Sequence, residues 1–405
     1  MHINSLRLRN YASHTDTTLD HLGPVTVLVG PNGGGKSSLF EAIRTFSRIL
    51  IGPVGRAFGP PPFSFEDKLF AGANPRTMAF EAQLVEPRFP ISVFYAIELG
   101  YVGSENVGAP PTIRQEVVKL GDEVVLDRAA RKLAVQDVEW DALLPDVSLL
   151  ATIRSRPAER PFRGPKVLAA LASHAGRVVN YRLEPRQLSM PSQEPGSEDF
   201  VRMGYEGDNL AACLYSLQEN APAQVKEIVQ EIRQVIPALR GIAVNTVGVD
   251  RVGFAIEYDD ARYRVLAPNT SSGTLLILGL VTLLKAPSQP DIACLEEPET
   301  GLTPDAVRLF LQLLCSAAGR AGGQAPSQFF FSSHSPFVLV DAWNTLSENR
   351  SFIKRLHVTN GHTVVEDIQS IIDRGDSGAV LQKGKDGRTI LGLKTAEELM
   401  CGRFL

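Results

Sequence analysis

The sequence has little cysteine, little excess charge and no apolar run long enough to cross a membrane. Only 4 of the 405 residues are Cys, and their wide spacing excludes a disulfide scaffold or a paired zinc motif and favours a reducing compartment. Lys and Arg total 41 against 45 Asp and Glu, so the composition does not indicate a strongly cationic nucleic-acid binder. The longest nearly apolar run, Leu275 to Leu284, is shorter than the ~20 residues of a membrane span. With no apolar block at the start either, we expect a cytoplasmic protein without membrane contact.

The start of the chain reads as a strand, a glycine-rich loop and a helix. Residues 25–29 are mostly β-branched and almost wholly apolar, as in a buried strand. Residues 30–35 contain four glycines, and apolar side chains then recur at helical spacing from Leu39 to Leu50. No sustained heptad pattern is present, which excludes a long coiled coil. A stretch rich in proline at 52–62 marks the first boundary, and mostly strand-like patterns follow from 78 to about 180.

Residues 30–37 match the G-x-x-x-x-G-K-[ST] pattern of a phosphate-binding loop. Glycines let several backbone N–H groups point at one anion, and the helix N-terminus adds partial positive charge. Lys36 is predicted to contact the β- and γ-phosphates of ATP, and the Ser37 hydroxyl to bind Mg²⁺. The predicted nucleotide-binding residues here are Gly30, Pro31, Asn32, Gly33, Gly34, Gly35, Lys36, Ser37 and Ser38.

A second apolar strand, residues 292–295, ends in two adjacent carboxylates. ATPases with a phosphate-binding loop need a carboxylate at such a strand end to hold Mg²⁺, directly or through water. We therefore assign Glu296 to the metal and Glu297 to orienting or deprotonating the attacking water. A solvated acidic strand end would show the same pattern on its own.

Two further motifs come before and after these carboxylates. Ser271, Ser272 and Gly273 precede a strongly hydrophobic helix and could form a second anion site at its N-terminus, although a capped core helix has the same pattern. His334 follows a strand of three phenylalanines and is predicted to hydrogen-bond the γ-phosphate or the water, although such a histidine can also be structural.

In this order, the four motifs resemble the ABC-type ATPase heads of the SMC/RecF/OLD class, above all the bacterial proteins with an AAA_21-type ATPase domain. The tracts 208–212 and 296–302 add to the similarity. The resemblance implies an α/β fold: a P-loop NTPase, ABC-ATPase-like head with a mixed sheet and an inserted β-rich and helical lobe. The implied domains are a split core at 1–60 and 240–345, a β-rich insertion at 61–183, a linker and helical subdomain at 184–239, and a C-terminal segment at 346–405.

The resemblance also implies a homodimer that encloses two ATP molecules, with each glycine loop facing Ser271, Ser272 and Gly273 of the other chain. Asn32 would lie at that interface, and Gln83 is a candidate to sense Mg²⁺ and the γ-phosphate. The expected function is an ATP-hydrolysing switch that acts on DNA or a partner effector, for example a separately encoded nuclease in anti-phage defence. The part after His334 is shorter than a nuclease domain of this class, and no transporter-type membrane span is expected.

Two other functions remain open from the sequence. A scaffold gated by ATP would bind the nucleotide with negligible hydrolysis, and it would not need Glu297. A DNA-repair ATPase resembling RecF would need a DNA-binding surface, for which one basic run is a candidate, although such a run can be a solvated loop: Arg154, Arg156, Arg160, Arg163 and Lys166.

Overall fold

The computed structural model describes residues 1–59, 64–101, 110–196, 200–260, 264–287, 289–319, 327–346, 352–374, 382–383 and 389–401. The chain divides into two compact units, Met1–Val178 with Ser351–Arg374, and Val179–Arg350 with Gly375–Leu405. A segment from late in the sequence thus completes the N-terminal unit. The domain boundaries predicted from the sequence stay predictions.

The N-terminal unit contains an antiparallel sheet of seven strands in the order β2-β1-β4-β5-β6-β7-β8. Along β5, side chains alternate between buried and partly exposed, because successive residues of a strand face opposite sides of the sheet. The strands are β1 His2–Tyr11, β2 His14–Leu19, β4 Thr77–Val85, β5 Ser92–Gly100, β6 Thr112–Leu120, β7 Glu123–Asp127 and β8 Lys132–Leu133.

Three more strands of this unit lie behind the glycine loop. The fully buried β3, Val25–Val29, pairs in parallel with β16, Ile353–Thr359, which pairs antiparallel with β17, His362–Asp367. The helices are α1 Lys36–Ile49, α2 Phe65–Lys68, α3 Leu149–Arg154, α4 Lys166–His174 and α11 Ile368–Asp373.

Helix α1 is held against the seven-stranded sheet by aromatic packing. The ring of Phe46 stacks on Phe80 of β4 at 5.5 Å between centroids and meets Tyr95 of β5 edge-on at 6.3 Å. Tyr11 contacts Phe80 edge-on, and its hydroxyl lies 3.1 Å from that of Thr45. These buried contacts fix the helix that begins at the glycine loop.

Helices α3 and α4 interrupt the region in which the sequence pattern predicts mostly strands. The Ser148 hydroxyl accepts a hydrogen bond from the Ala151 N–H at 3.3 Å, which caps α3 and starts a helical turn. Buried Glu116 of β6 accepts another from the Leu149 N–H at 2.8 Å. Short segments with caps of this kind are poorly resolved by hydrophobic periodicity.

The second unit is built around a helix that is buried on nearly every side, α8, Ser272–Lys285. Strands β14, Ile292–Glu296, and β15, Gln328–Ser333, pair in parallel, and β9, Val178–Tyr181, lies next to β14. The other helices are α5 Pro185–Leu188, α6 Leu210–Asn220, α7 Pro222–Ile232, α9 Pro304–Ala318, α10 Pro336–Thr345 and α12 Leu393–Cys401.

A separate small sheet in this unit has the order β10-β12-β11, with β13 also paired to β12. Its strands are β10 Ser192–Gln193, β11 Leu239–Thr246, β12 Arg251–Tyr258 and β13 Arg264–Leu266, and a two-stranded pair consists of β18 Gln382–Lys383 and β19 Thr389–Ile390. Among the helices of the described ranges, none is long and apolar enough to cross a membrane.

Candidate nucleotide site

The predicted phosphate loop lies between β3 and α1, as the sequence pattern indicates. Gly30, Gly33 and Gly35 have φ of +148°, +75° and +92°, and Gly35 is the N-cap of α1. These left-handed conformations strain any residue with a Cβ. A Cβ on Gly30 would also lie 2.0 Å from the carbonyl oxygen of Leu356 in β16. The close approach of β16 therefore requires glycine here.

Lys36 is the first residue of α1 and is buried beneath the loop. Its Nζ donates hydrogen bonds to the carbonyl oxygens of Gly30 at 2.7 Å and Pro31 at 2.8 Å. Asn32, Gly33 and Ser37 are exposed, so the outer surface of the loop and the first turn of α1 are open to a ligand. The half-buried Ser38 instead donates its hydroxyl to the Gly35 carbonyl at 2.9 Å.

A buried histidine that the sequence analysis did not single out supports this loop. The Nε2 of His14 in β2 lies 3.2 Å from the Gly35 carbonyl oxygen and 3.1 Å from the Ser38 hydroxyl. Its Nδ1 lies 3.2 Å from the Thr17 hydroxyl. Burial lowers the pKa of His14 to about 4. The imidazole is therefore neutral near pH 7.

In the second unit, the predicted catalytic side chains meet at the carboxyl ends of two neighbouring strands. Glu296 pairs with Ser332 in the parallel register of β14 and β15, so Glu297 and His334 follow the same edge of the sheet. The Nδ1 of His334 lies 3.2 Å from a Glu297 carboxylate oxygen, and both side chains are accessible to solvent. Glu297 has φ of +44°, a strained conformation for a residue other than glycine.

Behind this pair lies a buried polar contact, whose role the sequence analysis did not assign. The Ser333 hydroxyl donates to the Glu299 carboxylate at 2.6 Å and accepts from the Ser335 N–H at 3.0 Å. Burial raises the pKa of Glu299. The loop after β14 and the residues that flank His334 are thus joined by side-chain hydrogen bonds.

The predicted second anion site also contacts this loop. Ser271 caps α8 through a hydrogen bond from the Thr274 N–H at 3.2 Å, and the side chains of Ser271 and Ser272 are exposed. A Cβ on Gly273 would lie 3.0 Å from the carbonyl oxygen of Gly301. Glycine at 273 therefore permits the start of α8 to approach the loop that follows Glu297.

Two other candidates gain no support from their positions. Gln83 and Phe80 stand on opposite faces of β4, and because Phe80 faces α1, the side chain of Gln83 points away from that helix. In the basic run, Arg154 donates to the carbonyls of Ala172 and Ser173, and Arg156 pairs with Asp137 at 2.8 Å. Two of its five cations therefore have partners within the protein.

The polar groups at the glycine loop and those at the end of β14 suit different parts of ATP with Mg²⁺. The glycine loop offers backbone N–H groups, an ammonium and a helix N-terminus, which suit an anion such as the phosphates of ATP. Glu296 and the Ser37 hydroxyl are oxygen ligands of the kind that Mg²⁺ takes.

Taken together, the fold and the motifs define an ABC-type ATPase head of the SMC/RecF class. Residues 132–341, just over half of the chain, match the AAA_21 family, described as "AAA domain, putative AbiEii toxin, Type IV TA system". The chain belongs to this family of ATPase domains. Residues 5–47, which include the glycine loop, match a second family of AAA domains, AAA_23.

Curated relatives are similar over short segments. A manganese transport system ATP-binding protein from Synechocystis is 37% identical over 94 residues, 23% of this chain and 33% of the relative. A DNA double-strand break repair Rad50 ATPase from Sulfolobus acidocaldarius is 46% identical over 43 residues, 11% of this chain and 5% of the relative. The chain therefore matches a third or less of the length of these relatives.

Among solved structures, an SMC head bound to the C-terminal winged-helix domain of ScpA is similar with a TM-score of 0.54. The match covers 91% of this chain and 99% of that chain at 12% identity. At this identity the similarity concerns the fold, and it confirms the P-loop ATPase fold expected from the sequence.

Proposed function

We propose that the protein binds ATP with Mg²⁺ and hydrolyses it to ADP and phosphate. The observation that carries the proposal is the contact between Glu297 and His334 at the carboxyl ends of adjacent parallel strands, in a chain that also contains the glycine loop. Polar residues at such strand ends are where open α/β sheets act on their ligands.

Each group has a distinct role in this proposal. The glycine loop and Lys36 bind the phosphates, while Ser37 and Glu296 hold Mg²⁺, which supplies charge neutralisation. The Glu297 carboxylate orients the attacking water and accepts its proton. The Nδ1 of His334 lies within hydrogen-bonding distance of that carboxylate, so it can hold the carboxylate in position.

The proposal extends to an ATP-dependent homodimer, because Ser271, Ser272 and Gly273 begin a helix whose exposed N-terminus suits an anion. In the dimer, this helix start would complete the site of the other subunit. Closing and opening with hydrolysis would then act on DNA or on a partner effector, such as a separate nuclease in anti-phage defence. That setting is based on the family resemblance.

Hydrolysis is favoured over the ATP-gated scaffold by the strained backbone at Glu297 and its contact with His334, since a scaffold needs neither. A repair ATPase that uses the 154–166 run on DNA is less well supported, because Arg154 and Arg156 have internal partners.

The test is the steady-state ATPase rate of Glu297→Gln. The amide keeps the shape of the side chain but cannot accept the proton, so turnover should fall at least ~10²-fold while ATP affinity is retained. Glu123→Gln, at an exposed carboxylate in β7, is the matched control and should hydrolyse ATP at the wild-type rate. Wild-type turnover in Glu297→Gln would show that the base is another residue, and absent turnover in the wild-type protein would favour the scaffold.

A further inference from the structure

Strand β11 forms an open edge of the small sheet in the second unit. Among the described residues, β12 is the only strand that pairs with it. The Val247 N–H donates to the Arg251 carbonyl, and hydrogen-bonded pairs alternate along an antiparallel ladder. It follows that the N–H and C=O groups of Ile242, Val244 and Thr246 point away from β12.

A groove of about 500 Å³ runs between this edge and helix α7. Its apolar lining includes Val225 and Val229, one helical turn apart on α7, and Ile242 of β11. Both valines are partly exposed, whereas Ile228 and Ile232 on the neighbouring stripe are buried in the core. The groove thus places apolar side chains beside Ile242, and the outward backbone groups of Val244 and Thr246 follow along the same edge beyond its lining.

Three cationic side chains also line the groove, Lys226, Arg233 and Arg240, and all three are exposed. The acidic group in the lining, Glu257, pairs with Arg264 at 2.6 Å, and Arg233 reaches Asp259 only at 4.0 Å. The groove therefore has an excess of positive charge.

We propose that this groove binds an extended acidic segment of a partner protein, which adds to the sheet as a strand beside β11. The outward backbone groups of Ile242, Val244 and Thr246 would pair with the added strand. Alternate side chains of that strand would contact Val225, Val229 and Ile242, and its acidic residues would meet the three cations. Recruitment at this edge is independent of ATP hydrolysis.

A direct test uses a fluorescent, terminally capped octapeptide that alternates valine and glutamate, with fluorescence anisotropy as the readout. We expect saturable binding with a Kd below about 1 mM, in keeping with a short peptide. Two control peptides should not bind: one alternates valine and lysine, and the other has the same composition as the probe but four glutamates followed by four valines.

Substitutions distinguish the contribution of backbone hydrogen bonds to peptide binding from the contribution of the charged side chains. Val244→Pro removes one outward N–H without removing a bond to β12, and proline is tolerated at sheet edges. It should weaken binding at least ~10-fold, whereas Val244→Ala, which keeps the N–H, should bind as the wild type does. Reversing both arginines, Arg233→Glu with Arg240→Glu, should weaken binding by a similar factor. Arg186→Glu, at an exposed site outside the groove, is the matched control.

Several results would overturn the proposal. These are no binding of the acidic peptide at about 1 mM, equal binding of the lysine peptide, or full binding by Val244→Pro with a wild-type melting curve. If Val244→Pro fails to fold, unaltered binding by the doubly charge-reversed variant overturns it instead. Displacement of the peptide by a single-stranded oligonucleotide would assign the groove to nucleic acid.

Discussion

At the scale of single side chains, His14 contacts the glycine loop although it belongs to no motif. It is fully buried and lies within hydrogen-bonding distance of Gly35 and Ser38, at the start of the helix whose first residue is Lys36. The glycines of the loop follow from the motif, because positive φ and close backbone approach demand them. A histidine in a preceding strand reaches the loop only through the tertiary fold, so no local pattern could predict it.

This histidine should make the N-terminal unit sensitive to acid. Its pKa is lowered to about 4 from an ordinary 6.5, so between these pH values the unfolded chain takes up the proton and the folded chain does not. The stabilisation is complete above about pH 6.5 and falls as the pH drops towards 4, by up to about 3 kcal/mol. We expect the melting temperature of the wild-type protein to decline over this range.

His14→Asn should flatten that decline, although the variant will be less stable at pH 7 because it loses buried contacts. His21→Asn, at an exposed position, is the control and should keep the wild-type pH dependence. Melting curves recorded from pH 7 to pH 4.5 supply the comparison. An equally steep decline in His14→Asn would contradict the assignment.

At the level of elements, the loop after β14 is joined to the end of β15 by Glu299 and Ser333. The sequence indicated β14, α8 and the strand of three phenylalanines, because each is an apolar run of the right length. It also indicated the two adjacent carboxylates at the end of β14. It did not indicate the hydrogen bond from Ser333 to Glu299, nor the pairing of β16 with β3, because both depend on residues distant in the chain.

Glu299 should therefore be a positioning residue for the proposed reaction. Glu299→Ala leaves the Ser333 hydroxyl without its acceptor and should lower stability by about 1–3 kcal/mol. It should also reduce kcat at least ~10-fold, with little change in KM, because the residues around His334 lose a fixed position. Glu299→Gln retains a carbonyl oxygen as acceptor and should restore most of kcat.

The pair of variants distinguishes positioning from folding. The values of kcat and KM for Glu299→Ala and Glu299→Gln are compared at a temperature well below the melting temperatures of both variants. If Glu299→Ala loses stability but keeps the wild-type kcat, the contact is purely structural. If Glu299→Gln is as slow as Glu299→Ala, the carboxylate itself takes part in the reaction.

For the whole molecule, the class of fold predicted from the motifs is confirmed, while the predicted domain boundaries stay predictions. The four motifs occur in the order expected from the family resemblance, and the family match and the fold agree with it. The division into units was harder to infer, since Ser351–Arg374 belongs with the N-terminal residues. In that segment, β16 is a short strand of mixed apolar and polar residues, with Lys354 and Arg355 buried. Such a pattern does not predict which strand β16 pairs with, because strand pairing depends on topology.

The shared active site of the proposed homodimer can be tested by mixing two inactive variants. Ser272→Arg places a bulky cation at the exposed start of α8, so the monomer should fold and bind ATP, but dimerisation and hydrolysis should fail. Ser272→Ala is the matched control and should remain active. Lys36→Ala should be inactive because the phosphates lose their buried cation.

A mixed dimer contains one composite site with neither substitution, since the subunits of a C2 dimer each contribute to both sites. Equal mixing should therefore restore at most about half of the wild-type rate, because each mixed dimer has one intact site out of two. The ATPase rate is measured after mixing, and mixed dimers are verified by differential tagging and pull-down. Normal hydrolysis by Ser272→Arg, or no recovery although mixed dimers form, would rule out a shared site in this protein.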